Sequence, residues 1–492
     1  MAYSSLFYRQ ARNRLVEEGV YAGSWFLEEG MVRGDTRGAP GKARLLLVSL
    51  PFEIMYRDYA ELMILAGLNP YRSASGDDAI VLAGGPAVTA NPSPVLELVD
   101  AVMIGEVDDI VMDIVEAAAG PGSKEHRLER LAEIPGVLVP GVSETPVRRH
   151  YVKDIDKHII SLDQRTPRDA EPVWGHTYIV EASRGCGRGC RFCMEGFIFR
   201  PKRDRSLETM KSLIDEAPRQ GFERLSFYSL SFFDNPASDK ALEYAVSRGL
   251  QASVPSLRAD SINGERLRLI GMAGQRTLTI APETGSCRVC RAINKVIKRD
   301  IVEWIAEEAP SHGIRSLKLY LITGFPGEGE EDFEETLTMV ERVASILRRR
   351  GLRLKVSLNP FMPKPVTPLQ WAPLAPRELF RGRARSLKRL AGRAGNIDAS
   401  IYDHRWAAVQ TVLARGGPEI SRLVVEWART GQGTGHFRRA ARIAGIDPEK
   451  YTGEIPADMD PVWHSYAEHP YAGLSLLRRE YRLYRSLLSS RR

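Results

Sequence analysis

Between residues 176 and 360, six short apolar runs alternate with helical patterns at intervals of roughly 30 residues, at 178–181, 225–230, 252–257, 277–281, 317–322 and 352–358. Parallel neighbours cannot be joined by a tight turn, so a repeat of this length implies strand–helix units and a parallel sheet. The clearest helix carries Phe333, Leu337, Val340, Ala344 and Leu347 as one apolar stripe. Acidic residues open it and Arg348, Arg349 and Arg350 close it, the polarity that the helix dipole favours. Units of this kind build most of a parallel barrel, a partial (β/α)6 TIM-type barrel over 176–376, with its active site at the strand ends.

A second alternation precedes it. Apolar runs at 45–48, 79–82 and 101–104 are separated by helical stretches, and the pattern reads as a shortened doubly wound, Rossmann-like α/β domain over 43–140. Gly84-Gly85-Pro86 and Gly105-Glu106 follow two of its strands, where doubly wound folds place their ligands. Residues 1–42 form an N-terminal extension, and the Gly- and Pro-containing stretch 141–175 a linker. After the proline-rich stretch ending at Pro376, residues 377–492 read as a helical domain whose last helix, 476–492, docks with a basic face exposed. A chain of 492 residues is too long for one core, which agrees with this division.

Charge discriminates less. The net charge is +7, but the arginines are interleaved with Glu and Asp in helical stretches, the pattern of an ion-paired, solvated surface more than of an RNA or lipid-headgroup site. His404, Trp406, the stretch 436–439 and Trp463-His464 read as packed residues. No uncharged apolar run reaches the length of a spanning helix, and the N-terminus lacks a basic region followed by an apolar core, so a cytoplasmic location is expected.

The five cysteines all fall between residues 186 and 290, which points to a reducing compartment and to metal or redox chemistry. Cys186, Cys190 and Cys193 lie on a loop with Gly185, Gly187 and Gly189, directly after the first barrel run. Three thiolates at this spacing can converge on one iron–sulfur cubane and leave its fourth iron open. Structural zinc is the competing reading, but zinc closes with four ligands and no nearby His or Cys completes the set. Cys287 and Cys290 are too few for a second cluster; a structural role is expected, with a local redox pair or disulfide as the alternative.

The cysteine loop, with an aromatic before its last cysteine, resembles the radical S-adenosylmethionine (SAM) superfamily. Residues 281–286, 292–295, 324–328 and 359–368, with Arg415-Gly416, resemble its subgroup with an N-terminal cobalamin-binding-like domain. The resemblance implies a [4Fe-4S] cluster on Cys186, Cys190 and Cys193, SAM bound at the open iron, and reductive cleavage to a 5′-deoxyadenosyl radical. It also implies an external electron donor of flavodoxin or ferredoxin type. Carried onto this chain, the backbone around Phe192 faces the adenine and Gly324 and Pro326 shape its wall. Ser229 and Ser231 stand where the superfamily usually has Gly-Gly-Glu, Glu283 and the adjoining Thr284 lie near the amino group, and Arg258 meets the carboxylate or a ribose hydroxyl. Gly84, Gly85, Pro86, Gly105 and Glu106 would contact cobalamin. The subgroup's D-x-H-x-x-G stretch is missing, so the front domain either retains cobalamin without a histidine below the cobalt or only braces the barrel.

These readings give a cobalamin-dependent methyltransferase acting on an unactivated carbon as the leading expectation. The alternatives are a radical SAM enzyme without cobalamin, catalysing rearrangement, coupling or oxidation, and an RNA-associated module with a structural metal. Methylthio transfer is disfavoured, because that group carries three further cluster cysteines near its front and residues 1–182 contain none. The substrate is left open among RNA, peptide, lipid and small metabolite.

Overall fold

Leu45–Ser49 (β1), Ile80–Gly84 (β2) and Ala101–Met103 (β3) pair in parallel, and Val137–Leu138 (β4) closes the edge antiparallel to β3. The strands lie in chain order, as in one half of a doubly wound sheet. Their buried faces, including Ile80, Leu82, Ala101 and Met103, pack against Ile114 and Ala118 of the helix Val111–Ala119 and Leu131 of the helix Lys124–Ala132. This computed structural model describes residues 43–72, 78–158, 164 and 175–489, together with two antiparallel strands at Trp25–Glu28 and Met31–Gly34. The rest of the expected extension 1–42, most of the second half of the expected linker and residues 490–492 lie outside the described residues.

The second alternation becomes seven parallel strands in sequential order: Tyr178–Glu181 (β5), Arg224–Tyr228 (β6), Gln251–Ser253 (β7), Thr277–Glu283 (β8), Ser316–Thr323 (β9), Arg353–Pro360 (β10) and Ile397–Ile401 (β11). The partial TIM-type barrel is therefore present, with one strand more than the six expected. β7 is shorter than its apolar run because Pro255 has no N–H to give to a ladder. Pairing resumes at Leu257, whose N–H bonds Thr279 O at 2.9 Å and joins the two halves of the barrel. The helix Glu330–Arg349 buries Phe333, Val340, Ala344 and Leu347 as its periodicity requires, and Asp332 receives the Gly329 N–H at 2.8 Å at its start.

The chain divides into two compact units, one of Met1–Asp163, Lys364–Val366 and Ala408–Leu474, the other of Gln164–Pro363, Thr367–Ala407 and Ser475–Arg492. A single helical domain over 377–492 is thus not what the tertiary contacts define. Ala408–Leu474 packs within the first unit: Asn91 Nδ2 donates to Ala414 O and Gly416 O at 2.9 Å, and Ser421 Oγ to Pro94 O at 2.9 Å. The helix Leu474–Ser489 belongs to the barrel unit from Ser475 onward, where Trp371 packs on Tyr481 with ring centroids 5.6 Å apart.

Candidate active site

From the end of β5 the chain runs through Ser183–Arg184, paired antiparallel with Arg203–Asp204, into the cysteine loop. Gly185 adopts φ +81°, and a Cβ there would lie 2.3 Å from Phe199 O, so this turn requires glycine. Gly189 adopts φ +70°, whereas a Cβ on Gly187 would meet only open space. The Cys193 N–H bonds Cys190 O at 3.1 Å, folding the last two cysteines into one turn. All three cysteines are free thiols, Cys190 buried and the other two half-buried.

Two neighbours hold this loop. The Arg191 N–H bonds Ile293 O at 2.9 Å, and its guanidinium donates to Ala292 O at 2.6 Å and pairs with Glu480 at 2.9 Å. Asn294 donates from Nδ2 to Gly189 O at 3.0 Å and Arg188 O at 3.3 Å. Asn294 sits at φ +55°, the left-handed conformation that Asn tolerates better than most residues and adopts just past a helix end, here Cys287–Ala292. The 292–295 motif by itself assigns no task to Asn294 or Lys295. An Asn directly beyond a short helical pattern was the available signal.

Burial pushes the Cys190 thiol up, opposed by Lys295 and Arg258. Arg258 Nη1 lies 3.7 Å from Cys190 Sγ while its other nitrogens grip Asp260 at 2.9 and 3.0 Å. Burial raises Cys193 far above the ordinary thiol range, with the Gly196 N–H the counteracting hydrogen bond. Buried thiols of this kind ionise when a metal centre supplies positive charge. Among the described residues no group of three His, Cys, Asp or Glu converges as a single ion requires. Zinc would draw its sulfurs to about 2.3 Å from one point, whereas a cubane offers each thiolate a separate iron. The donor set fits the cluster.

The remaining barrel residues fall into two groups. Phe192 meets Phe325 edge to face at 5.8 Å, so the loop and the 324–326 turn come together, as do Arg258 and Cys190. Gly324 at φ +86° would place a Cβ 2.5 Å from that of Ala375. Glu328 gathers this turn, accepting the N–H groups of Gly324 at 2.6 Å and Phe325 at 3.0 Å while pairing with buried Arg383 at 3.0 Å. The Pro326 carbonyl accepts from Tyr484 at 2.7 Å. Glu283 stands at φ +66° after a register shift at the end of β8, and its carboxylate pairs with Lys295 Nζ at 2.7 Å with both residues buried.

The other group is bound up in packing. Thr284 is buried and its hydroxyl bonds Thr336 at 3.1 Å. Ser229 Oγ meets Ser183 Oγ at 2.5 Å and accepts the Ser231 N–H at 3.0 Å. His404 bonds Ala375 O at 2.7 Å.

The glycine turns of the first unit lie close against the protein's own backbone. Gly85 (φ +116°) would place a Cβ 2.8 Å from Leu50 O, and Gly105 (φ +119°) one 1.9 Å from His150 O. Gly84 leads into this turn, and Pro86 takes the first position of the short helix Pro86–Ala90, where a missing N–H costs nothing. Glu106 is buried, accepts the Val152 N–H at 3.1 Å and lies 4.0 Å from Arg149 Nη1.

A partial parallel barrel with a free-thiol C-x-x-x-C-x-x-C loop after its first strand is the arrangement of a radical SAM domain. Residues 180–340 match the radical SAM superfamily and residues 34–140 match radical SAM proteins, N-terminal. Residues 180–340 thus carry a radical SAM domain, and enzymes of that superfamily use a [4Fe-4S] cluster and SAM and draw an electron from an external reductant. It is 29% identical over 353 residues to an uncharacterized protein of Methanocaldococcus jannaschii, covering 70% of this chain and 73% of that one. It is 26% identical over 219 residues to the tRNA-2-methylthio-N(6)-dimethylallyladenosine synthase of Rickettsia felis, covering 38% of this chain and 47% of the relative, so the match spans about half that relative's length. The fold is shared with the radical SAM methyltransferase TsrM of Kitasatospora setae, solved with cobalamin and a [4Fe-4S] cluster, at TM-score 0.52 and 14% identity over 82% of this chain and 87% of that one. No helix among the described residues is long and apolar enough to cross a membrane.

Proposed function

We propose that Cys186, Cys190 and Cys193 hold the [4Fe-4S] cluster and that this chain uses SAM to start a reaction at an unactivated C–H bond, ending in methyl transfer. The observation that carries the proposal is the three-thiol loop, with no fourth ligand gathered to it among the described residues, pinned by Arg191 and Asn294. Bound there, the cluster would supply an electron to the sulfonium of SAM, releasing methionine and a 5′-deoxyadenosyl radical that abstracts hydrogen.

The chain's own groups bind and orient. Arg258, beside Cys190, meets the carboxylate or a ribose hydroxyl, and Glu283 takes the ammonium, its carboxylate held by Lys295. The backbone at Phe192 and the turn at Gly324 and Pro326, braced by Glu328, form the adenine wall. Ser229 and Ser231 lie after β6 as a polar edge, with Ser229 Oγ already bonded, and Thr284 supports Glu283 from its bond to Thr336. The electron would come from a flavodoxin- or ferredoxin-type donor in the cytoplasm.

Methyl transfer is supported by the fold shared with TsrM. A radical reaction without cobalamin is favoured by a separate observation. Gly85 and Gly105 are packed against backbone and the Glu106 carboxylate accepts from Val152, so the close approaches these turns make are to the protein's own chain. Anaerobic reconstitution followed by product analysis tests both readings. Deoxyadenosine together with S-adenosylhomocysteine and near-stoichiometric cobalamin is the expected result for methyl transfer. Deoxyadenosine alone, without bound cobalamin, selects the second reading, and absence of deoxyadenosine overturns the radical proposal itself.

A further inference from the structure

Outside the cluster loop, the barrel unit holds a second pair of thiols. Cys287 and Cys290 lie on the helix Cys287–Ala292, with the Ser286 side chain accepting the Val289 N–H at its start. Cys287 is exposed and Cys290 buried. The Cys290 thiol turns back along the helix and donates to the Cys287 backbone carbonyl at 3.1 Å. Helix neighbours three apart stand about 5 Å from each other, within the Cα separation that a disulfide spans.

Both cysteines line a cavity of about 400 Å³ whose wall also carries Arg291, Lys298, Arg299 and Arg342 against Asp300 and Glu303. Arg342 is 3.5 Å from Glu303, which leaves Arg291, Lys298 and Arg299 facing Asp300 alone, a surplus of two positive charges near the thiols. An accessible thiol, a buried partner one turn away and a cationic cavity together describe a site that receives an anionic disulfide and passes the bond inward.

We propose that Cys287 and Cys290 form a redox-active dithiol that exchanges with small anionic disulfides. The Cys287 thiolate attacks one sulfur of the incoming disulfide, forming a mixed disulfide and expelling one thiolate. The Cys290 thiol then loses its proton and attacks Cys287 Sγ, closing the protein disulfide and releasing the second thiol. Two protein thiols are oxidised and one external disulfide is reduced to two thiols, so electrons and protons balance. The far end of the same helix supplies the carbonyls of Arg291, Ala292 and Ile293 that hold Arg191, so the exchange takes place on the element that anchors the cluster loop.

The test uses the full chain with its cluster reconstituted anaerobically, exposed to glutathione disulfide as the anionic probe or cystamine as the cationic one. Free thiols are then alkylated and the peptides mapped by mass spectrometry without reduction. The expected result is a Cys287–Cys290 disulfide that forms about tenfold faster with the anionic probe, a preference lost in Lys298→Gln/Arg299→Gln. Cys290→Ser should accumulate the mixed disulfide at Cys287, and Cys287→Ser should show no adduct at Cys290. The proposal is overturned if both cysteines are recovered as alkylated thiols, if a mixed disulfide at Cys287 persists in the natural sequence without closing, or if the two probes react at equal rates.

Discussion

The glycine turn after β5 and the glycine turns after β2 and β3 look alike as sequence and do opposite things. At the barrel, Gly185 and Gly189 bend a loop whose thiols stay free and whose carbonyls are held by Asn294. In the first unit, Gly85 and Gly105 let backbone approach backbone, and the space a side chain would take is already filled by Leu50 and His150. Glycine after a strand therefore marks close approach, and what approaches, a cofactor or the protein itself, is decided elsewhere in the chain.

The largest effect expected from breaking this contrast is at the barrel. Cys190→Ala should abolish both the visible absorbance of the reconstituted cluster and deoxyadenosine formation, and a variant that kept either would remove the assignment of the loop. Asn294→Ala, which frees the carbonyls of Arg188 and Gly189, should weaken cluster retention by about 10–100-fold, measured as the rate of iron loss to a chelator.

In the first unit the same kind of change should act on stability. Gly105→Ala faces both a positive φ and a 1.9 Å clash, and should destabilise by about 2–4 kcal/mol, seen as a lowered unfolding midpoint. The matched control sharpens the comparison. Gly187→Ala, whose added Cβ meets no protein atom within 4 Å, should change the stability of the metal-free protein by less than about 0.5 kcal/mol.

A smaller, pH-dependent difference is expected between the two remaining thiols. Burial pushes the Cys290 thiol up to about 11 by favouring its neutral form, so its thiolate is scarce near neutrality and grows as pH approaches that value. Alkylation with iodoacetamide should label exposed Cys287 first at pH 8, with Cys290 lagging and then catching up as pH rises.

Much of the barrel was legible because apolar strands separated by amphipathic helices leave a periodic trace, and the cysteine loop because three cysteines and three glycines cluster in type and spacing. β11 was missed. Ile397–Ile401 reads Ile-Asp-Ala-Ser-Ile, whose alternation is the period-two signal of a half-exposed strand, but it is short and follows the arginine-rich helix Arg377–Ala394. Glu328 lies in the 324–328 motif, but its task is not legible there: its carboxylate binds the turn's own N–H groups and Arg383, which arrives from a distant helix.

The sequence by itself determined the α/β class, the parallel barrel and the placing of three cysteines on one loop after its first strand, since backbone periodicity and residue spacing are local properties that a linear chain must write down. Only the tertiary structure decided that Asn294 and Arg191 hold the loop, that Glu283 faces Lys295, that Ala408–Leu474 packs in the first unit, and that Gly85 and Gly105 close on backbone. Each of these depends on which distant segment arrives at a given surface, and that is set by the global minimum of packing and hydrogen bonding rather than by any one segment's own preference.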